Sequence, residues 1–341
     1  MPFHIVRNDI AAMTADAIVN TANPMPIIGD GVDAAIHEKA GPELLAARKA
    51  IGRLAPGQCA ITPAFGLSAN YVIHTVGPVW KGGLLGEGRL LRKCYESALA
   101  LAQRHGCESI ALPLISTGNY GFPRERALNI ALNAIGAFLL KHDMTVYLVV
   151  YDRESCRLSE NLMGAVTAYI DDNYIDAKPK LLRRNRADRA DYAAGRSMAM
   201  EEACCAPMMA PCAPAPKNLS SLDELLAHTD AGFSETLLKL IDRTGQKDSA
   251  IYKRANVTRQ HFSKIRNDSG YKPTKATAIA FAMALELDLE QAQDLIGRAG
   301  YTLTRASKFD VAIMYFIDRR IYNIIDINLT LFSLDLPTLG E

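Results

Sequence analysis

Val19-Asn-Thr-Ala-Asn-Pro-Met-Pro-Ile-Ile-Gly-Asp-Gly-Val-Asp-Ala-Ala-Ile-His37 decides how this chain is read. With Ala17 and Ile18 before it, the segment starts as a short apolar run suited to a buried strand, and it leaves that strand through two amides, Asn20 and Asn23. Gly29 and Gly31 punctuate the loop that follows, and a helix opens near Val32 and Asp33. Glycine lets backbone approach a ligand closely, and a helix N-terminus offers unpaired N–H groups to an anion. The Asp33 carboxylate stands at the same entrance. Amides, an anion cradle and a carboxylate so close in sequence point to a nucleotide-diphosphate site with chemistry beside it.

Outward from this segment, strand-like and helix-like stretches alternate. Strands are expected at Phe3–Arg7, Ala17–Asn20, Ala60–Ala64, Tyr71–Thr75, Ser109–Leu114 and Thr145–Tyr151. The last two are continuous apolar runs, as in strands buried on both faces. Helical patterns fall at Val32–Lys39, Pro42–Ile51, Glu87–His105, Pro123–Lys141 and Glu154–Tyr169. Such alternation argues for an α/β fold, a three-layer α/β/α sandwich. Ligands of open α/β sheets bind beyond the carboxyl ends of strands, where Asn20–Asn23 and Ser116–Tyr120 both lie.

The bulk properties fit a soluble chain of two domains. It has 341 residues, a formal charge of +1 and 49% hydrophobic residues, so net charge gives no pull toward nucleic acid or membrane. No apolar run approaches the ~18 residues that span a bilayer, and the first residues lack the apolar core of an export signal. The seven cysteines are odd in number and scattered, as expected of reduced thiols in the cytoplasm.

Composition divides the chain into residues 1–175, a linker at 176–220 and a helical unit at 221–341. The linker joins a basic run, Lys178–Arg189, to a Pro/Cys/Met-rich stretch, Ala203–Pro216, that cannot bury enough surface to order itself. Cys204, Cys205 and Cys212 lack the spacing and the histidine of a structural zinc site. After a capping-box opening at Ser221–Glu224, short helices are expected at Phe233–Thr244, Ile251–Ala255, Arg259–Asn267, Lys275–Leu285 and Leu289–Ala299. The apolar stretch Val311–Leu336 is suited to packing on them or to a homodimer seam. Between Lys247 and Lys275, eight basic residues face two acidic ones, a stripe suited either to a phosphate backbone or to ordinary solvation.

Four motifs resemble those of macrodomains, in particular the branch that hydrolyses ADP-ribose derivatives. They are the Val19–His37 segment, Tyr71–Trp80, Leu114–Pro123, and the shorter Asn8-Asp9-Ile10 with Tyr151-Asp152. The resemblance implies a macrodomain sandwich with a mixed sheet, followed by a separate all-α domain. It implies that Asp9 accepts a hydrogen bond from adenine and that the Ile10 N–H meets the ring. By position alone Asp9 is a turn former. Tyr151 either stacks on the purine or is an edge-strand aromatic. Diphosphate binding falls to Gly29, Gly31 and Val32 in one loop and to Ser116, Thr117, Gly118, Asn119 and Tyr120 in the other, through backbone N–H groups. The family's run of four glycines is here replaced by Ile27-Ile28-Gly29-Asp30-Gly31, which stiffens the loop and adds a carboxylate.

In the same resemblance Asn23 and Asp33 are the catalytic pair at the distal ribose. Asn23 orients the hydroxyls, and Asp33 orients or deprotonates water. Position alone makes Asp33 a helix cap; the motif around it turns the reading to catalysis. Asn20 is expected to tie the strand end to a neighbouring loop, His37 to pack or anchor a loop, and His74 to lie in the core. No cofactor and no metal is required.

Ile251–Asn267 resembles a phage-repressor helix-turn-helix, with its turn at Asn256–Thr258 and a recognition helix at Arg259–Arg266. The expected function is hydrolysis of ADP-ribose esters, either O-acetyl-ADP-ribose or mono-ADP-ribosylated acidic side chains of proteins. The alternative is a non-catalytic sensor of ADP-ribose or a related nucleotide whose helix-turn-helix-like domain binds DNA or a protein partner. No membrane is involved in either reading.

Overall fold

The computed structural model describes residues 2–150, 160–173, 232–268 and 270–340. The first part is a six-stranded sheet: β1 (Phe3–Arg7), β2 (Ala17–Thr21), β3 (Cys59–Pro63), β4 (Tyr71–Thr75), β5 (Ser109–Pro113) and β6 (Thr145–Val150). Their order is β1-β6-β5-β2-β4-β3, and every pairing is parallel except that of β3 with β4. The sheet is therefore mixed, with its antiparallel strand at one edge.

Side chains alternate between the two faces with the pleat. Ala17, Val19, Ile110, Leu112, Val146 and Leu148 meet α3 (Glu87–Arg104) and α4 (Arg124–Leu139). Ile18, Val72, Ala111 and Val149 meet Ile36, Ala40 and Leu44 of α1 (Val32–Ala40) and α2 (Pro42–Ile51). Continuous apolar runs are needed because both faces are covered. The result is the expected three-layer sandwich. Pro123 ends up as the residue before α4 rather than its first turn.

One detail of register opens the site. β2 pairs along its whole length with β4, from Ala17–Tyr71 to Thr21–Thr75, but with β5 only at Ala17–Ile110 and Ile18–Ala111. Beyond Ile18 the carboxyl ends of β2 and β5 separate. The chain leaves β2 toward β4 and leaves β5 toward β6, so this gap is the switch point at which an open α/β sheet leaves a crevice.

The helical part contains α6 (Phe233–Thr244), α7 (Asp248–Arg254), α8 (Arg259–Asn267), α9 (Lys275–Ala284), α10 (Leu289–Arg298), α11 (Lys308–Asp318) and α12 (Ile324–Ser333), after α5 (Glu160–Asn173). It has its own core, centred on Phe281, Phe316, Leu295 and Ile265. α5 sends Val166 and Ile170 into that core, and Tyr169 meets Tyr315 edge-on at 5.1 Å. The expected boundary at 175 therefore follows a helix whose buried face belongs with the later ones. α7 begins at Asp248, three residues before the expected Ile251. The Val311–Leu336 stretch packs as α11 and α12, and the buried Leu329 joins the core beneath the sheet.

Asn256 holds the helical part to the sheet. It lies in the turn between α7 and α8 at φ 56°, in the left-handed region that asparagine tolerates better than most residues. Its Oδ1 accepts the Phe3 N–H at 2.6 Å, and its Nδ2 donates to the Phe3 carbonyl at 3.1 Å and to the Leu339 carbonyl at 3.3 Å. β1 is an edge strand, whose unpaired backbone would otherwise invite another chain. Among the described residues no helix is long and apolar enough to cross a membrane. Cys59, Cys94 and Cys107 are free thiols, and burial pushes all three upward, Cys59 to about 11, which keeps them unreactive.

Candidate functional site

The mouth of the crevice is built around Asp33. This residue lies in the first turn of α1, is 2% exposed, and follows Gly31 at φ 63°. Its Oδ2 accepts the Gly29 N–H at 2.6 Å, and its Oδ1 accepts Asn20 Nδ2 at 2.6 Å. The carboxylate thus gathers the glycine loop and the end of β2 onto one helix start, where the dipole favours a negative charge. Asn23 points the same way. Its Nδ2 donates to the Ile27 carbonyl at 3.3 Å, and a Cβ on Gly29 would stand 2.7 Å from that nitrogen and 3.3 Å from Asp33 Oδ2. A side chain at position 29 would therefore displace the Asn23 amide.

Behind Asp33 lies a chain of neutral imidazoles. Asn20 Nδ2 also meets His74 Nδ1 at 3.2 Å, and His74 Nε2 meets Thr62 Oγ1 at 3.0 Å. An amide N–H requires an acceptor, so Nδ1 is the unprotonated nitrogen and Nε2–H donates to Thr62. Burial first, then the charges of Arg48 and His37, bring His74 down to about 3. His37 Nε2 lies 3.5 Å from Asp33 Oδ1, and burial lowers its proton affinity although Asp33 opposes that effect. His74 lies in the core as expected, the buried His37 packs beside Asp33 on its own helix, and Asn20 ties the strand end to α1.

The second loop leaves β5. Ser116 is buried with φ 66° and packs on Gly77, where a Cβ would come 2.0 Å from Ser116 Oγ. A left-handed serine is a strained residue of the kind that clusters in ligand-binding loops. Thr117 Oγ1 donates to the Leu114 carbonyl at 2.9 Å, the Gly121 N–H to the Gly118 carbonyl at 2.9 Å, and the Phe122 N–H to the Ser116 carbonyl at 3.0 Å. Tyr120 takes the Trp80 N–H on its carbonyl at 2.9 Å, and burial followed by the Asp33 charge raises its phenol above the ordinary value. The two loops meet where Asn119 Nδ2 donates to Asp30 Oδ2 at 3.0 Å. The unusual Asp30 carboxylate is therefore turned toward an amide, and Ile27 and Ile28 stand exposed at the rim.

At the far end Asp9 is exposed and caps the single turn Ile10–Ala12, accepting the Ala11 N–H at 3.0 Å, with Ile10 buried beneath. This is the turn-forming role its position suggested. Tyr151 lies outside the described residues. Asn20, Asn23, Gly29, Gly31, Val32 and Asp33 come together with Ser116–Tyr120 around one crevice. Arg48 belongs there too, and sequence reasoning missed it. The signal was its spacing of four from Leu44, which places it on the buried stripe of α2.

A crevice at a switch point, two glycine-containing loops and a buried carboxylate at a helix start are features suited to a nucleotide-type anion. The family model described as Macro domain matches residues 19–131. A Macro domain-containing protein of Methanosarcina mazei is 49% identical over 164 residues, which cover 48% of this chain and 88% of that protein. An O-acetyl-ADP-ribose deacetylase of Citrobacter rodentium is 47% identical over 166 residues, covering 47% of this chain and 94% of the relative. The solved Oceanobacillus iheyensis macrodomain with ADP is 38% identical, with a TM-score of 0.43 over 44% of this chain and 84% of that one. The chain belongs to the macrodomain family.

The neutral imidazoles make stability depend on pH. His74 binds a proton in the unfolded chain below about 6.5 but not in the folded one until about 3. Its contribution is complete above 6.5 and is lost as pH falls toward 3, by about 1.4 kcal/mol per pH unit. The lowered His37 acts in the same direction. Urea midpoints are expected to fall between pH 7 and pH 5, and His74→Gln is expected to flatten that fall by on the order of 2 kcal/mol. An equal slope in the variant would contradict the assignment.

Proposed function

We propose that residues 1–175 bind an ADP-ribose ester across the gap between β2 and β5 and hydrolyse it. The observation that carries this reading is the convergence of Asn23, Gly29 and Asp33 at the start of α1. The deacetylase names of the Citrobacter relatives support an ester as the substrate class. In this reading Asp9, the Ile10 N–H and Tyr151 receive the adenine. The Gly29 N–H is held by Asp33, so the remaining backbone N–H groups of residues 28–32, with those of 116–120, receive the diphosphate, and Asn23 holds the distal ribose.

Asp33 then supplies the base. A carboxylate has about four lone-pair sites, so accepting one bond on each oxygen leaves acceptor positions for water. Water adds to the ester carbonyl carbon while its proton passes to Asp33. The developing oxyanion is met by loop N–H groups. The intermediate then collapses: the bond from the acyl carbon to the ribose oxygen breaks, and that oxygen takes the proton back. ADP-ribose and a carboxylic acid leave, and no metal or cofactor takes part.

A second reading has an observation of its own. Asp33 is 2% exposed with both oxygens engaged, which suits a structural carboxylate in a nucleotide sensor without turnover. In this reading the helix-turn-helix-like α7–α8 pair carries the output. The solvent face of α8 presents Arg259, Gln260, Ser263, Lys264 and Asn267 with no carboxylate on the helix, a composition suited to nucleic acid.

Wild-type protein and Asp33→Ala, incubated with O-acetyl-ADP-ribose and with a glutamate-ADP-ribosylated protein, separate the two readings. The hydrolase reading expects released ADP-ribose and a loss of roughly 100-fold or more in kcat for the variant. Tight ADP-ribose binding without turnover would instead leave the sensor. For the sensor, anisotropy of a labelled DNA duplex at two salt concentrations is expected to show salt-dependent binding that weakens in Arg259→Ala/Lys264→Ala. Equal binding by that variant would exclude the α8 face.

A further inference from the structure

Arg48 is a cation buried beneath the candidate site, at 2% exposure. Its guanidinium meets backbone carbonyls. Nη2 donates to Asn23 at 3.1 Å and to Pro24 at 3.4 Å, and Nη1 donates to Gly52. No carboxylate lies within ion-pair distance among the described residues, and its buried Nε has no hydrogen-bond partner there. Burying a charge without a contacting counter-charge is costly. Arginine's planar fork can hold several carbonyls at once, which a lysine ammonium does less rigidly. The carbonyls held are those of Asn23 and Pro24, at the point where the chain turns out of β2 into the glycine loop.

We propose that Arg48 is a positioning residue for ester hydrolysis, clamping the backbone of Asn23 and Pro24 so that the Asn23 amide and the Asp33 carboxylate face the same side of Gly29. This inference rests on the hydrolytic reading above. The clamp fixes the peptide from which the Asn23 side chain departs, and Asn23 Nδ2 meets the Ile27 carbonyl and the space over Gly29. The charge has a second effect: it opposes protonation of the His37 and His74 imidazoles behind Asp33.

The test uses the full chain as Arg48→Met and Arg48→Lys. The readouts are the thermal midpoint, ADP-ribose affinity by calorimetry, and kcat and KM for O-acetyl-ADP-ribose. A folded Arg48→Met is expected to bind ADP-ribose within about threefold of wild type but to lose about tenfold or more in kcat, the pattern of lost orientation. Arg48→Lys, which keeps the charge without the planar fork, is expected to restore kcat only in part. A folded Arg48→Met with wild-type kcat would overturn the inference alone. Should Arg48→Met fail to fold, a folded Arg48→Lys decides: reduced kcat with ADP-ribose affinity unchanged supports the clamp, and wild-type kcat overturns it. Absence of turnover in the wild-type chain would overturn the inference together with the hydrolytic reading.

Discussion

A carboxylate inside a protein has to be met by donors, and the Asp33 carboxylate imposes that demand on everything around it. Its two 2.6 Å bonds recruit a side-chain amide from β2 and a backbone N–H from the glycine loop. Charge-assisted bonds of this length are the strong class. Removing one partner of a buried charge costs more than the bond itself contributes, because the charge stays behind. The consequences run outward. Asn20 must present its NH₂ to Asp33, so the same nitrogen meets His74 Nδ1 and fixes the imidazole tautomer through to Thr62. A side chain at position 29 would push the Asn23 amide away from Asp33, which a glycine there avoids.

The sheet supplies the place and the two loops supply the walls. β2 and β5 part after two paired residues, and that gap is what lets both loops enter from opposite sides. The second loop keeps its shape through a left-handed Ser116 pressed on Gly77, and it is joined to the first through Asn119 and Asp30. Replacing glycine by Ile27, Ile28 and Asp30 therefore does not leave the loop unsupported. The apolar pair stands at the rim, and the acid is held by the opposite wall. At the other end of β1, Asn256 closes the exposed strand with its amide, so the helical part is joined to the sheet well away from the crevice.

Much of this was legible in the residues. All six strands fall within a residue of those expected, and β5 and β6 were legible as the continuous apolar runs that a sheet covered on both faces requires. Asn23, Gly29 and Asp33 were legible because their spacing is local. Arg48 was not, because a charged residue in a helix reads as solvated unless the stripe it occupies is followed to Leu44. The Asn20–His74–Thr62 chain joins residues far apart in sequence, so only the fold brings them together. The basic stripe between Lys247 and Lys275 reads differently in three dimensions. Lys253 pairs with Asp143, Arg254 with Glu286, Arg266 with Asp248 and Lys275 with Asp310, so half of the stripe is compensated.

The central claim is that the crevice between β2 and β5 is an ADP-ribose site organised by Asp33. Calorimetric titration of ADP-ribose into the 341-residue chain tests it most directly, with AMP and ribose 5-phosphate as part-ligands. The account predicts one saturable site per chain, with ADP-ribose bound at least tenfold more tightly than either part, because both loops and the distal ribose position contribute. Absence of binding heat, or equal affinity for AMP and ADP-ribose, would contradict it.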